Sequence, residues 1–67
     1  MKSAQLKSSF LAEPTKTAHA LGVVLRDFGY NVNDAYVEAE VKRLLAGGEK
    51  QGGPSMFLAG WLEEGLD

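Results

Sequence analysis

Gly47-Gly48-Glu49-Lys50-Gln51-Gly52-Gly53-Pro54 puts four glycines and a proline into eight residues. Glycine gives up more freedom than any other residue when it is ordered, and proline has no N–H to donate, so neither a helix nor a central strand runs through such a stretch. It is a loop, and the apolar residues on its two sides belong to separate elements. Its glycines offer no side chain to anchor it, so it is expected to be mobile and to accept insertions.

Downstream of the loop, Pro54 and Ser55 open a helix, with Ser55 as its cap or a first-turn residue. Phe57, Leu58, Trp61 and Leu62 then form an apolar stripe wide enough to be packed on two sides. Gly65 followed by Leu66 has the pattern of a Schellman stop, in which the last apolar side chain folds back on the helix. Upstream, Asn33 caps a second helix, with Asp34 at the positive end of its dipole and Lys42 and Arg43 in its last turns. Val37, Val41 and Leu44 are its core stripe, Tyr36 and Leu45 flank it, and Glu38 pairs with Lys42 four residues on. Gly47 ends it.

Gly29-Tyr30-Asn31-Val32-Asn33 is a second break, rich in residues that favour turns and left-handed backbone. It closes a helix that begins after Glu13 with Pro14 in the first position, where a missing N–H costs nothing. On a helical wheel Ala18, Leu21, Val24, Leu25 and Phe28 share the apolar face, while His19, Arg26 and Asp27 point away. Gly22 lies at the edge of that face, where the lack of a side chain lets another helix come close. Between Ser3 and Ala12, Leu6, Phe10 and Leu11 have helical spacing, which fits a short helix or an extended arm. The predicted fold is all-α: a single domain over residues 1–67, a three-helix bundle with core helices at about 14–28, 34–46 and 55–64 and an N-terminal short helix or arm across them.

With 67 residues the chain buries a low fraction of its unfolded surface, and it has no cysteine to staple a core with disulfides or thiolate metal sites. Its composition, 45% hydrophobic and 24% charged, is that of an ordinary globular protein, not a disordered one. No apolar run approaches the roughly 18 residues needed to cross a bilayer, and Met1-Lys2-Ser3-Ala4-Gln5-Leu6-Lys7 is basic without the apolar stretch of a secretory signal. No membrane contact and a cytoplasmic location are expected. Residues 1–32 carry four basic and two acidic side chains and residues 33–67 three basic and seven acidic, a balance of +2 against −4 that can orient contact between two copies or with a partner.

Chemistry is thinly represented. The single histidine, His19, sits on a polar helix face with no nucleophile beside it in sequence, so no triad can be argued. Glu63 and Glu64 point about 100° apart on a helix, wrong for chelating one ion, and Asp34, Glu38 and Glu40 read as a solvated face. No enzyme activity, cofactor or metal is expected. The glycine loop leading into a helix start can present N–H groups to an anion, with Gly52, Gly53 and Ser55 as contacts. A phosphate loop of the Walker type spaced from Gly47 would require lysine where Gly53 stands. Nucleic acid is an unlikely partner, because the third helix has Glu63 and Glu64 and no lysine or arginine to meet phosphates.

Val24-Leu25-Arg26-Asp27-Phe28-Gly29-Tyr30 resembles, over about one turn, the apolar-Gly-aromatic turn that follows the first helix of ubiquitin-associated three-helix modules. The second helix and the loop at 47–54 depart from that pattern. What the resemblance implies is a turn that presents an apolar patch to a partner. The expected function is a small helical protein-interaction module, self-associating as a homo-oligomer, with Phe57, Trp61, Leu62 and Leu66 as contacts, because the third helix carries more large apolar side chains than one face needs. The alternatives are that Phe57 and Trp61 fill a monomer core, or that the domain binds nucleic acid weakly or acts as a regulatory domain through Lys2, Lys7, Lys16 and Arg26 in its basic N-terminal part.

Overall fold

The computed structural model of the chain describes residues 3–64, with side chains described for residues 6–63. It is all-helical over these residues: α1 (Ser3–Ala12), α2 (Pro14–Asp27), α3 (Asp34–Leu45) and α4 (Pro54–Glu64). Residues 3–12 are therefore a helix, not an extended arm. Neither is α1 peripheral: it lies against both α2 and α4 and buries Leu6 and Phe10 completely. Four helices share one core, built from Phe10, Ala18, Leu25, Val37, Val41 and Leu58, and Leu21, Tyr30, Val32, Leu44, Leu45, Trp61 and Leu62 pack around it.

The breaks fall where the sequence places them, each for an identifiable reason. Pro14 forbids helical backbone at the residue before it, and Glu13 stands at φ −139° and ψ 75°, so α1 ends and α2 begins across one residue. Thr17 ties the corner by donating its hydroxyl to the Ser9 carbonyl at 3.1 Å. At the end of α2, Gly29 adopts φ +98°, and the N–H groups of Gly29 and Tyr30 donate to the carbonyls of Arg26 and Leu25, the paired bonds of a Schellman stop. Asn33 caps α3 by accepting from the Tyr36 N–H at 2.7 Å.

The end of α3 repeats the Schellman pattern with both glycines in use. Gly47 takes φ +93° and donates to Leu44, while Gly48 donates to the Arg43 carbonyl at 2.9 Å. A Cβ on Gly48 would lie 2.8 Å from that carbonyl oxygen and closer still to the Arg43 guanidinium. The loop is thus fastened at its start, and it is fastened again where Lys50 pairs with Glu63 of α4 at 2.6 Å. Gly52 is different: nothing lies within 4 Å of a Cβ placed there.

Two helix faces sit differently from the wheel. On α2 the buried residues are Ala18, Gly22 and Leu25, with Leu21 partly buried, while Val24 and Phe28 are 39% and 58% exposed. The buried face is rotated toward the small residues because α3 packs there, and Ala18 and Gly22 let it come close. Glu40 corrects the reading of α3: it is 8% exposed, not part of a solvated face. The Schellman stop assigned to Gly65 and Leu66 lies outside the described residues.

The glycine geometry separates two substitutions that composition treats alike. Gly48→Ala is expected to cost about 1–3 kcal/mol, as an overpacked site does, whereas Gly52→Ala is expected to be neutral or to stabilise by up to about 1 kcal/mol through loss of unfolded-state freedom. Urea denaturation followed by circular dichroism reads both, and equal midpoints for the two variants would contradict the account of Gly48.

Candidate functional site

Three constellations stand out from the packing. The first joins α2 to α3 at the surface. His19 Nδ1 and Asp34 Oδ2 are 2.7 Å apart, and Arg26 reaches the other oxygen of Asp34 at 3.2 Å while also donating to the Val32 carbonyl at 2.9 Å. The hydrogen bond from His19 is the largest influence on the Asp34 carboxyl and, with help from Arg26, holds it below its ordinary value against the opposing effect of desolvation. Gly22 makes the room: a Cβ there would come within 3.0 Å of both the Arg26 guanidinium and the Asp34 carboxylate. His19, solitary in the sequence, therefore does have a carboxylate partner. With the His19 side chain 62% exposed, the pair is a solvated tie between helices.

The second constellation is Glu40. Arg43, one turn on, approaches it with both ends of its fork, Nε to Oε1 at 2.9 Å and a terminal nitrogen to Oε2 at 2.5 Å, and the buried Ser55 at the start of α4 donates its hydroxyl to Oε2. These bonds, the Arg43 pair first, bring the Glu40 carboxyl down from the usual 4.5 to about 2. Ser55 was a candidate contact for an external anion together with Gly52 and Gly53. In the structure its hydroxyl already serves an anion, the chain's own Glu40. Pro54 contributes no N–H, and the Met56 N–H donates to the Gly53 carbonyl. An incoming anion at the Ser55 hydroxyl would therefore meet the Glu40 carboxylate.

The third constellation is aromatic and lies between the end of α2 and the face of α4. Phe57 is its hub: its ring centroid is 5.4 Å from Phe28, 5.8 Å from Tyr30 and 6.0 Å from Trp61, all in tilted or edge arrangements favoured by ring quadrupoles. Tyr30 and Trp61 also pack on the core, whereas Phe28 and Phe57 remain 58% and 38% exposed. Val24, one turn before Phe28 on the same helix face, continues the apolar surface. Of the four sequence-derived contacts, Phe57 and Trp61 come together here, Leu62 turns toward Leu44 and Leu45 at another part of the surface, and Leu66 lies outside the described residues. Phe28 and Tyr30 were not singled out as contacts. Their signal was the apolar-Gly-aromatic turn, which sets one ring on each side of the left-handed Gly29.

The remaining cations are mostly engaged. Lys16 pairs with Glu13 and Lys42 with Glu38, the second being the pair expected from spacing. Among the described residues no group of three histidine, aspartate or glutamate side chains is placed to hold a metal ion, and no helix is long and apolar enough to cross a membrane. Set against protein-family models, curated proteins and solved structures, the chain gives no match.

The geometry of Glu40 carries a pH prediction. A carboxyl whose value is lowered on folding adds stability above about pH 4.5 and loses it as pH falls toward 2. Glu40→Ala is expected to lower stability at pH 7 by about 2–4 kcal/mol, leaving Arg43 and Ser55 without their acceptor. The gap from the parent protein should narrow as the pH is taken from 5 to 2.5 in denaturant titrations; a gap constant over that range would contradict the assigned ion pair.

Proposed function

We propose that this is a protein-interaction module that pairs with a second copy of itself through the aromatic face of Phe28, Tyr30, Phe57 and Trp61. The observation that supports it best is the exposure of Phe28 and Phe57 in mutual contact. Large rings stacked together at the surface keep apolar area in water, and contiguous patches of this kind on small folds are where partners bind. Aromatic anchors packed at their base against a rigid core also have little freedom left to lose on association.

A second copy suits this face. A two-fold contact sets the same patch against itself, so an apolar aromatic surface meets an equally apolar one. A standard interface of about 800 Å² per partner is roughly a fifth of the 4182 Å² surface, so the contact extends beyond the four rings. Binding to nucleic acid through the basic N-terminal part has less support, since Lys16 and Arg26 are held by Glu13 and Asp34.

Light scattering across a dilution series tests this. The parent protein is expected at twice 7.2 kDa at high concentration, and Phe28→Asp is expected to be monomeric with an unchanged helical spectrum, weakening association by about 30-fold or more, as loss of an interface anchor does. A parent protein that stays monomeric at every concentration would overturn self-association, and capture of another protein abolished by Phe28→Asp would then reassign the same face.

A further inference from the structure

A cleft on a part of the surface that shares no residue with the aromatic face carries an inference of a different kind. It has an open volume of about 270 Å³, bounded by α1, the end of α3, the glycine loop and α4. Leu44, Leu45 and Leu62 give it an apolar floor, and Lys7 from α1 and Lys50 from the loop stand at its edge with Glu63. Among the described residues, two cations and one carboxylate leave a single positive charge at the rim. Glu63 is committed to Lys50 at 2.6 Å, and Lys7 forms no ion pair among the described residues.

The wall that Lys50 stands on is shaped by the chain itself. Gly48 is drawn in against Arg43 where a side chain would not fit, and Gly47 turns the backbone at φ +93°, so that both line the cleft without a side chain to fill it. An apolar floor beneath a rim with one surplus positive charge recognises a molecule that is apolar along its length and singly negative at one end.

We propose that this cleft binds a small amphiphilic carboxylate, an unbranched aliphatic acid, with its head group at Lys7 and Lys50 and its chain along Leu44, Leu45 and Leu62. The volume sets the size class: it lies just below the roughly 300–1,000 Å³ of ordinary ligand pockets, which suits a medium-chain acid. Glu63 sets the charge class. It keeps Lys50 half-satisfied, disfavours a dianion such as phosphate, and leaves Lys7 as the discriminating contact.

Octanoate is the probe, with 1-octanol, octylammonium and acetate as controls, all below aggregation concentrations and read by amide shifts of the full chain. Octanoate is expected to cause saturable shifts at Leu44, Leu45, Gly48 and Leu62. Octanol should bind about ten-fold more weakly for want of the charge-assisted contact, and acetate and octylammonium should not saturate. Lys7→Gln, an exposed change that leaves the core intact, is expected to weaken octanoate by about ten-fold and to leave octanol unchanged. No saturation by octanoate, equal binding of octylammonium, or an unaltered octanoate affinity in Lys7→Gln would each overturn the proposal. Cosedimentation with phosphatidylglycerol vesicles in the absence of octanoate binding would overturn it in favour of a lipid surface.

Discussion

One carboxylate, that of Glu40, holds the second half of this protein together. α4 reaches the core through Leu58 and Ala59, and its first turn is fixed by the bond from Ser55 to Glu40. Arg43 completes the arrangement from two directions: its guanidinium grips Glu40, and its backbone carbonyl receives the Gly48 N–H that turns the chain out of α3. A buried carboxylate is stable only with its lone pairs answered, so the positions of the loop and of the start of α4 are not independent choices. What the glycine loop leaves free, this cluster specifies.

The placement of the aromatic face follows from that constraint. Phe57 lies two residues after Ser55, so the register set at Glu40 delivers the Phe57 ring to the end of α2. There the Schellman turn at Gly29 has placed Phe28 and Tyr30 on either side. The opposite end of the same register brings Leu62 and Glu63 over the end of α3, where they form one wall of the cleft. Two surfaces of unlike chemistry, one aromatic and one amphiphilic, are therefore positioned by the same polar contact.

The punctuation of the fold was legible in the sequence because it is local chemistry. Pro14 at a helix start, Asn33 as a cap, Gly29 and Gly47 as stops and the Glu38–Lys42 pair each depend on neighbours within a few residues. What was not legible depends on residues brought from afar. Glu40 reads as solvated because a wheel records polarity and not a hydroxyl arriving from 15 residues away. His19 finds Asp34 over the same separation. Phe28 belongs to an apolar stripe by spacing, yet the small residues Ala18 and Gly22 draw α3 to another side and leave the ring outside. Ser3–Ala12 has only Leu6, Phe10 and Leu11 to declare itself, and it takes α2 and α4 to make its helix worth forming.

Gly22 carries a further consequence. It occupies the middle of α2, the longest of the four helices at 14 residues, where glycine gives the disordered chain latitude that every folding event must remove, a penalty near 1 kcal/mol relative to alanine. A segment of that length with such an interruption does not sustain helical order alone in water. The space vacated by the missing methyl group is what admits Asp34 and Arg26, so the compensation arrives only when α3 is present. The compensation for Gly22 is accordingly a property of the pair of α2 and α3 and of neither helix alone.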